Sequence, residues 1–193
     1  MGKVRLEAFS DGVLAIVITI MVLELRVPHG ETLDVLLPLW PVFLSYVLSF
    51  VYLGIYWNNH HHMLHTAKTV TGGILWANLH LLFWLSLIPF TTGFMGENHF
   101  ASLPAALYGT GLFAAAMAYT ILQSTIIRSQ GRDSPLKAAV GNDWKGKLSA
   151  VLYVVAVAAA FWITAIALAI YVLVALLWLV PDRRIERRIA AEH

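Results

Sequence analysis

Long runs of apolar residues, separated by short polar segments, make up most of this chain. A helix needs about 20 apolar residues to cross the hydrocarbon core of a bilayer. The last run, from Lys147 to Pro181, is too long for one span, and we divide it near residues 162–164. The pattern therefore predicts six membrane-spanning helices, at about residues 5–25, 37–64, 70–90, 104–127, 147–162 and 165–180.

The composition supports an all-α membrane protein with a single domain over residues 1–193. Of the 193 residues, 59% are hydrophobic and 12% are charged, whereas about 25% are charged in soluble domains. The chain has no cysteine, which excludes disulfides, zinc–thiolate sites and iron–sulfur clusters. The first apolar segment has no small-residue cleavage site and is expected to be a retained helix.

The basic residues predict the orientation of these six spans. With the N-terminus in the cytoplasm, 12 of the 13 lysines and arginines lie inside, and Arg26 alone lies outside. This asymmetry fits the positive-inside rule and predicts that both termini are cytoplasmic, in the cell (inner) membrane. The arginines of residues 183–188 directly follow the last span, so we expect them to bind anionic lipid headgroups rather than nucleic acid.

The first helix carries two kinds of residue on different sides. At 100° per residue, one stripe collects an apolar set that includes one hydroxyl: Phe9, Gly12, Ile16, Thr19, Ile20 and Leu23. Asp11 lies about 140° from Ile16 on this projection, so it faces a different neighbour. Two interpretations of the stripe remain open: ordinary packing against lipid or helices, or a hydrophobic constriction formed when several copies assemble.

Ser10 and Asp11 lie where the first apolar run begins, and a carboxylate at that depth needs a partner. One interpretation is a helix cap. Residues 5–8 also have a helical pattern, however, which favours a buried polar network with a histidine, asparagine or tryptophan of another helix. Arg5 is a further candidate partner for Asp11, unless water solvates it.

The segment Arg5-x-x-x-Phe9-Ser10-Asp11 resembles the first-helix signature of the transmembrane protein 175 potassium channel family. The resemblance extends to Thr19, to Trp57-x-x-His60 at the end of helix two, and to Trp76-x-Asn78 in helix three. The chain also resembles the prokaryotic members in having one set of six helices. It has no re-entrant filter loop, as the family implies.

This resemblance implies a homotetramer in which the first helices line a central pore. The pore and gate would be formed by Ile16, Thr19, Ile20 and Leu23, with Thr19 linked to the preference for potassium. A structural hydrogen-bond network would hold the first helix against helices two and three, through Arg5, Phe9, Ser10, Asp11, His60 and Asn78.

Several histidines leave further alternatives open. His61 and His65 have metal-ligand spacing, but no third strong ligand is visible, and we expect no metal site. His60 could instead donate to Asp11, or the cluster could be an interfacial polar cap that titrates near neutral pH. His80, about halfway through helix three, could bind haem but is expected to be an interhelical hydrogen-bond donor.

The sequence therefore predicts a potassium-permeable cation channel that is not an enzyme and has no catalytic residues. Its expected partners are the lipid bilayer, potassium and other monovalent cations, and further copies of itself; no cofactor and no nucleic acid are expected. Conduction through an apolar pore predicts modest selectivity. The alternatives are a haem- or quinone-linked redox protein that uses His80 and residues 60–65, or a secondary carrier.

Overall fold

The computed structural model describes residues 2–131 and 134–179, and within them every regular element is a helix. Two short 3₁₀ turns, Leu33–Val35 and Leu37–Leu39, precede the second α-helix. The α-helices are α1 (Lys3–Leu23), α2 (Trp40–His65), α3 (Gly72–Ser86), α4 (Ile88–Glu97), α5 (Ser102–Gln130), α6 (Pro135–Val140), α7 (Trp144–Ala160) and α8 (Thr164–Leu179). The lipid-binding tail predicted at residues 183–188 lies outside the described residues.

Within the described residues, four helical segments are long and apolar enough to cross a membrane, as expected of a multi-pass membrane protein. They are Lys3–Leu23, Leu33–His65, Gly72–Glu97 and Ser102–Gln130. The helices α7 and α8 are shorter, with 17 and 16 residues. Residues 161–163 form the turn between them, next to the division expected at residues 162–164.

The predicted end of the third span is wrong. The expected helix over residues 70–90 is two helices, α3 and α4, and the second continues to Glu97. Pro89 explains both the break and the continuation. A proline has no N–H for the hydrogen bond to the preceding turn, which interrupts α3 near Leu87, but it is well tolerated in the first turn of a new helix.

The short helix α6 was not predicted. Side chains just before α6 and α7 explain why each of these helices begins where it does. The Ser134 hydroxyl accepts a hydrogen bond from the Lys137 N–H at the start of α6. The Asp143 carboxylate likewise accepts from the Gly146 N–H at 3.2 Å and caps α7. Such caps satisfy N–H groups that have no partner inside the helix.

The core is built around α5, which packs against α3, α4, α7 and α8. Small residues of α5 allow the close approach. Gly109 leaves room for the ring of Tyr171, whose hydroxyl donates to the Ala105 carbonyl at 3.0 Å. On the other side of the subunit, α1 packs against α2, α3 and α4. This places α1 at the margin of the bundle, with one face covered and one face open.

Candidate functional site

A buried chain of hydrogen bonds joins α1 to α3 and α2. The Asn78 amide nitrogen donates to the Ser10 hydroxyl at 2.9 Å, and Ser10 in turn donates to the Leu6 carbonyl at 2.9 Å. The Asn78 side-chain oxygen lies 2.7 Å from Nε2 of His60. Because that oxygen can only accept, His60 carries its proton on Nε2 and donates. All three side chains are buried, and no buried side-chain nitrogen or oxygen of the described residues lacks a hydrogen-bond partner.

A second contact joins α1 to α2 on a different side of the helix. The Trp57 indole N–H donates to the Asp11 carboxylate at 3.0 Å, and the Trp57 ring stacks on His61 with ring centroids 6.3 Å apart. The hypothesis that His60 donates to Asp11 is therefore wrong. Asp11 is turned 100° from Ser10 around α1, so it meets α2 at Trp57, almost one turn before His60.

Arg5 and Phe9, which were expected in this network, stay outside it. Both side chains are exposed, and among the described residues no hydrogen bond or ion pair joins Arg5 to Asp11. Trp76 of the quoted third-helix segment also points outward. The anchoring contacts of α1 are thus Ser10–Asn78–His60 and Asp11–Trp57.

The apolar stripe of α1 lies on the surface of the single subunit. The residues that face the interior are Leu6, Ser10, Leu14, Val17 and Met21. The exposed side chains include Ile16 at 60%, Ile20 at 42% and Leu23 at 76%. Thr19 is exposed too, and its hydroxyl donates to the Ala15 carbonyl at 2.8 Å. Its oxygen lone pairs can therefore still accept, from water or around a cation.

A cavity of about 410 Å³ borders α1 near its C-terminal end. Residues of α1, α2 and α4 line it, among them Ile20, Glu24 and Glu97. The Glu97 carboxylate lies 3.5 Å from the Arg26 guanidinium, in an exposed ion pair. Such a pair contributes little to stability.

The histidines at the C-terminal end of α2 form a cluster of rings in contact with one another. The His61 ring centroid lies 5.6 Å from that of His62 and 6.4 Å from that of His65. In the described part of the chain, no group of three or more histidine or carboxylate side chains is arranged to hold a metal ion. His80, on the outer side of α3, accepts a hydrogen bond on Nε2 from the Trp84 indole at 3.0 Å.

Two parts of this arrangement were not assigned from the sequence. A tryptophan of another helix was one of the expected partners of this network, but Trp57 was not singled out, although its N–H is a donor that requires an acceptor when it lies inside a membrane. A chain of hydroxyls between α4, α2 and α5 was also missed: Thr92 donates to Ser49 at 2.7 Å, and Ser49 lies 3.0 Å from the Tyr108 hydroxyl. The spacing of Ser45, Ser49 and Tyr52 on one buried face of α2 was the available signal.

Comparison with known proteins now identifies the family. Residues 5–89, which contain the whole anchoring network, match the family model described as endosomal/lysosomal potassium channel TMEM175. A potassium channel of Chryseobacterium sp. (strain P1-3) is 57% identical over 187 residues, which cover 97% of each chain. This chain belongs to the TMEM175 family. A potassium channel of Streptomyces collinus is 34% identical over 126 residues, 61% of each chain.

The fold agrees with a solved TMEM175 structure. The crystal structure of a homologue from Chamaesiphon minutus, described as a lysosomal potassium-selective channel homologue, superposes with a TM-score of 0.81. The two chains are 26% identical, and the match covers 93% of this chain and 97% of the other. The resemblance drawn from the first-helix motif is confirmed. TMEM175 is a channel family and not an enzyme family, which removes the support for a redox protein.

Proposed function

We propose that four copies of this chain surround a central, potassium-permeable pore and that α1 of each copy lines it. The observation that carries the proposal is the division of α1 into two faces. Leu14 and Val17 are buried in the subunit, whereas Ile16 and Leu23 are exposed. Family membership and the potassium channels among its relatives support the function. Four open apolar stripes, turned toward a common axis, would cover one another.

The chemistry of the stripe supports gating by a hydrophobic constriction. Ile16, Ile20 and Leu23 offer no polar atom to a passing ion, so a narrow ring of them excludes water. Thr19 supplies a hydroxyl oxygen that can replace part of a hydration shell. Ion binding in such a pore is weak, and the expected preference for potassium over sodium is modest. Transport through this pore requires no cofactor beyond the permeant ion.

The anchoring contacts support the orientation that this pore requires. Hydrogen bonds are directional, so Ser10–Asn78–His60 and Asp11–Trp57 together fix the rotation of α1 about its own axis. With that rotation fixed, Ile16 and Thr19 point away from the rest of the subunit. Asp11 then serves the position of the helix and not the ion.

The proposed topology has six spans with both termini in the cytoplasm of the inner membrane. The basic residues support it, since Arg26 alone would face outward. The helix α7 has 17 residues, or about 25 Å at 1.5 Å per residue. This is short for a bilayer core of about 30 Å, and local thinning or oligomerisation accommodates such a mismatch at modest cost.

The test is potassium flux into liposomes that contain the purified protein, with sodium flux and empty liposomes as controls. We expect potassium to enter faster than sodium. Ile16→Asn should raise the flux, because an amide in the constriction favours its hydration. The matched control is Ile166→Asn on α8, which changes an exposed side chain of the same type on a helix that is not among those packed against α1.

Two outcomes would contradict the proposal. A well-folded tetramer without potassium flux would remove the channel function. Potassium flux that Ile16→Asn and Ile166→Asn leave equally unchanged would keep the channel but remove Ile16 from the pore. The mass of the detergent-solubilised particle, corrected for bound detergent, tests the tetramer separately.

A further inference from the structure

Two polar side chains on the outer surface of the subunit have hydrogen-bonding groups without partners. The side-chain amide of Asn58 on α2 is exposed and makes no hydrogen bond within residues 2–131 and 134–179. His80 on α3 is exposed too, and its Nε2 accepts from Trp84. A neutral imidazole that accepts on Nε2 carries its proton on Nδ1. That N–H has no acceptor among the described residues.

Both groups lie inside the predicted membrane spans, where unpaired polar groups are costly. No water is available in the hydrocarbon core to complete their hydrogen bonds. Ionisable and polar residues in such positions characteristically face protein and bind a partner. Asn58 offers a carbonyl acceptor, and His80 offers an N–H donor. Each can therefore satisfy the other, provided that they come from different subunits.

The two side chains lie at the same depth. The His60–Asn78 hydrogen bond of 2.7 Å fixes one level that α2 and α3 share. Asn58 precedes His60 by two residues on α2, and His80 follows Asn78 by two residues on α3. The two helices run in opposite directions across the membrane, so both residues lie about 3 Å from that level on the same side.

The two side chains also point in opposite directions. Two residues turn a helix by about 200°. Asn58 therefore points away from the side of α2 that carries His60, and His80 points away from the side of α3 that carries Asn78. The two polar groups lie on opposite flanks of one subunit, with the α1 contacts between them. Rotation about an axis along the membrane normal keeps their depth and can bring the flank of one copy to the opposite flank of the next.

We propose that the outer face of α3 in each subunit packs against the outer face of α2 in the neighbouring subunit, and that His80 Nδ1–H donates to the Asn58 carbonyl across this contact. The proposal rests on the tetramer of the proposed function and specifies its interface. Two different faces that bind each other form a heterologous contact, which closes into a ring when the rotation fits.

The shapes of the two faces are also complementary. Phe83 lies about 4.5 Å farther out than His80, and Gly54 lies about 6 Å farther out than Asn58. The Phe83 ring is exposed, and a Cβ at Gly54 would meet no atom within 4 Å. The ring of one subunit therefore faces a space without a side chain on the next. Small residues on one helix commonly allow this approach in membrane proteins.

The absence of cysteine allows a direct test by cross-linking in membranes. We expect the double variant Asn58→Cys/His80→Cys, oxidised with copper phenanthroline, to give a ladder of dimer, trimer and tetramer. Each single variant should stay monomeric on the denaturing gel, because neither position meets its own copy. The matched control is Asn58→Cys/Val154→Cys, which places the second thiol on the exposed face of α7.

The outcomes separate this interface from the proposed function. A ladder in the first pair alone supports the interface. No ladder from a protein that is tetrameric and conducts potassium overturns the interface and leaves the pore intact. A ladder of equal strength in the Val154 control shows random collision and also overturns it. A wild-type protein that is monomeric and does not conduct overturns the proposed function itself.

A second measurement does not depend on the cysteine variants folding. His80→Leu and Asn58→Leu should each lower the tetramer fraction at a given detergent dilution by a similar factor. The double variant should lose no more than either single one, because the partners act as a pair. Independent, additive losses from the two substitutions would contradict the hydrogen bond.

Discussion

The two halves of α1 differ in how they are held. In the N-terminal half, Ser10 and Asp11 make hydrogen bonds to α3 and α2. In the C-terminal half, no hydrogen bond among the described residues joins α1 to another helix, and Val17 and Met21 contribute only apolar packing. A cavity of about 410 Å³ opens beside Ile20 in that half.

In the proposed pore, this difference separates the position of the helix from its contact with the ion. Directional hydrogen bonds fix the rotation of α1 near its N-terminal end, where Ser10 is buried and Asp11 is partly buried. Apolar packing is not directional, so the C-terminal half presents a surface that is apolar apart from the Thr19 hydroxyl. If polar groups lined the whole of this half, they would bind ions and water too strongly for a pore that gates by excluding water.

The largest expected effect is the loss of Asn78, which stands at the centre of the anchoring network. Asn78→Leu keeps the approximate volume but leaves the His60 N–H buried without an acceptor and removes the donor to the Ser10 oxygen, whose hydroxyl still donates to the Leu6 carbonyl. We predict a loss of about 2–4 kcal/mol in stability, since a buried unsatisfied group costs about 1–3 kcal/mol and a lost hydrogen bond about 0.5–1.5 kcal/mol. The measurement is the thermal midpoint in detergent, followed by size-exclusion chromatography.

The matched control is Asn98→Leu. Asn98 is an exposed asparagine after α4 whose amide bonds only its own helix, at the Phe94 carbonyl. Equal destabilisation by the two variants would show that the buried network has no special role in holding α1.

The Asp11–Trp57 contact should have a smaller effect, because Asp11 is only partly buried. Trp57→Phe removes the N–H donor and keeps the aromatic ring. We predict a loss of about 1–2 kcal/mol and a lower yield of tetramer, with an unchanged ratio of potassium to sodium flux. Asp11→Ala should act in the same direction.

The control for this contact is Trp162→Phe, which changes an exposed tryptophan in the turn between α7 and α8. A normal tetramer with altered ion preference in Trp57→Phe or Asp11→Ala would reverse the roles assigned to the two halves of α1.

Replacement of the Thr19 hydroxyl should change selectivity and leave folding intact. Thr19→Ala should reduce the potassium-over-sodium preference by about two- to fivefold, or about 0.4–1 kcal/mol, because one oxygen per subunit is lost from the pore. The reversal potential under bi-ionic conditions measures it. Thr110→Ala is a close control, since both hydroxyls donate to the carbonyl four residues earlier at 2.8 Å. Equal shifts in the two variants would exclude a specific role for Thr19.

The smallest effect on stability is expected on the open stripe. Leu23→Ala should change the stability of the subunit by less than about 0.5 kcal/mol, as exposed positions generally do. The same truncation at buried Leu14 should cost about 2–5 kcal/mol. Similar costs at the two positions would show that the C-terminal half of α1 is buried on both sides within one subunit.

Much of this arrangement was predictable from the sequence because it depends on local pattern. The helical projection separated Ile16 from Asp11, and in the structure Ile16 is exposed while Asp11 contacts Trp57 of α2. The polar pairing was less predictable, because it depends on where two helices cross. Ser10 and Asp11 are adjacent in sequence, yet a 100° turn sends one to Asn78 and the other to Trp57.

The end of the third predicted span is a second feature that could not be predicted from the sequence. Pro89 indicated a break in helical hydrogen bonding but not what followed it. The same proline fits the first turn of a new helix, so the chain continues as α4 to Glu97. Whether a proline ends a span or divides it depends on the packing of the residues beyond it, and here Ile88 and Met95 are buried in the core.

The most direct test of the central claim is the accessibility of α1 from the conduction pathway. Single cysteines would replace Ile16, Ile20, Val17 and Met21 in this cysteine-free chain, and potassium flux would be measured before and after exposure to silver ions. We predict that silver blocks Ile16→Cys and Ile20→Cys and spares Val17→Cys and Met21→Cys, whose side chains face the subunit core. Block of the second pair with none of the first would contradict a pore lined by the exposed stripe of α1.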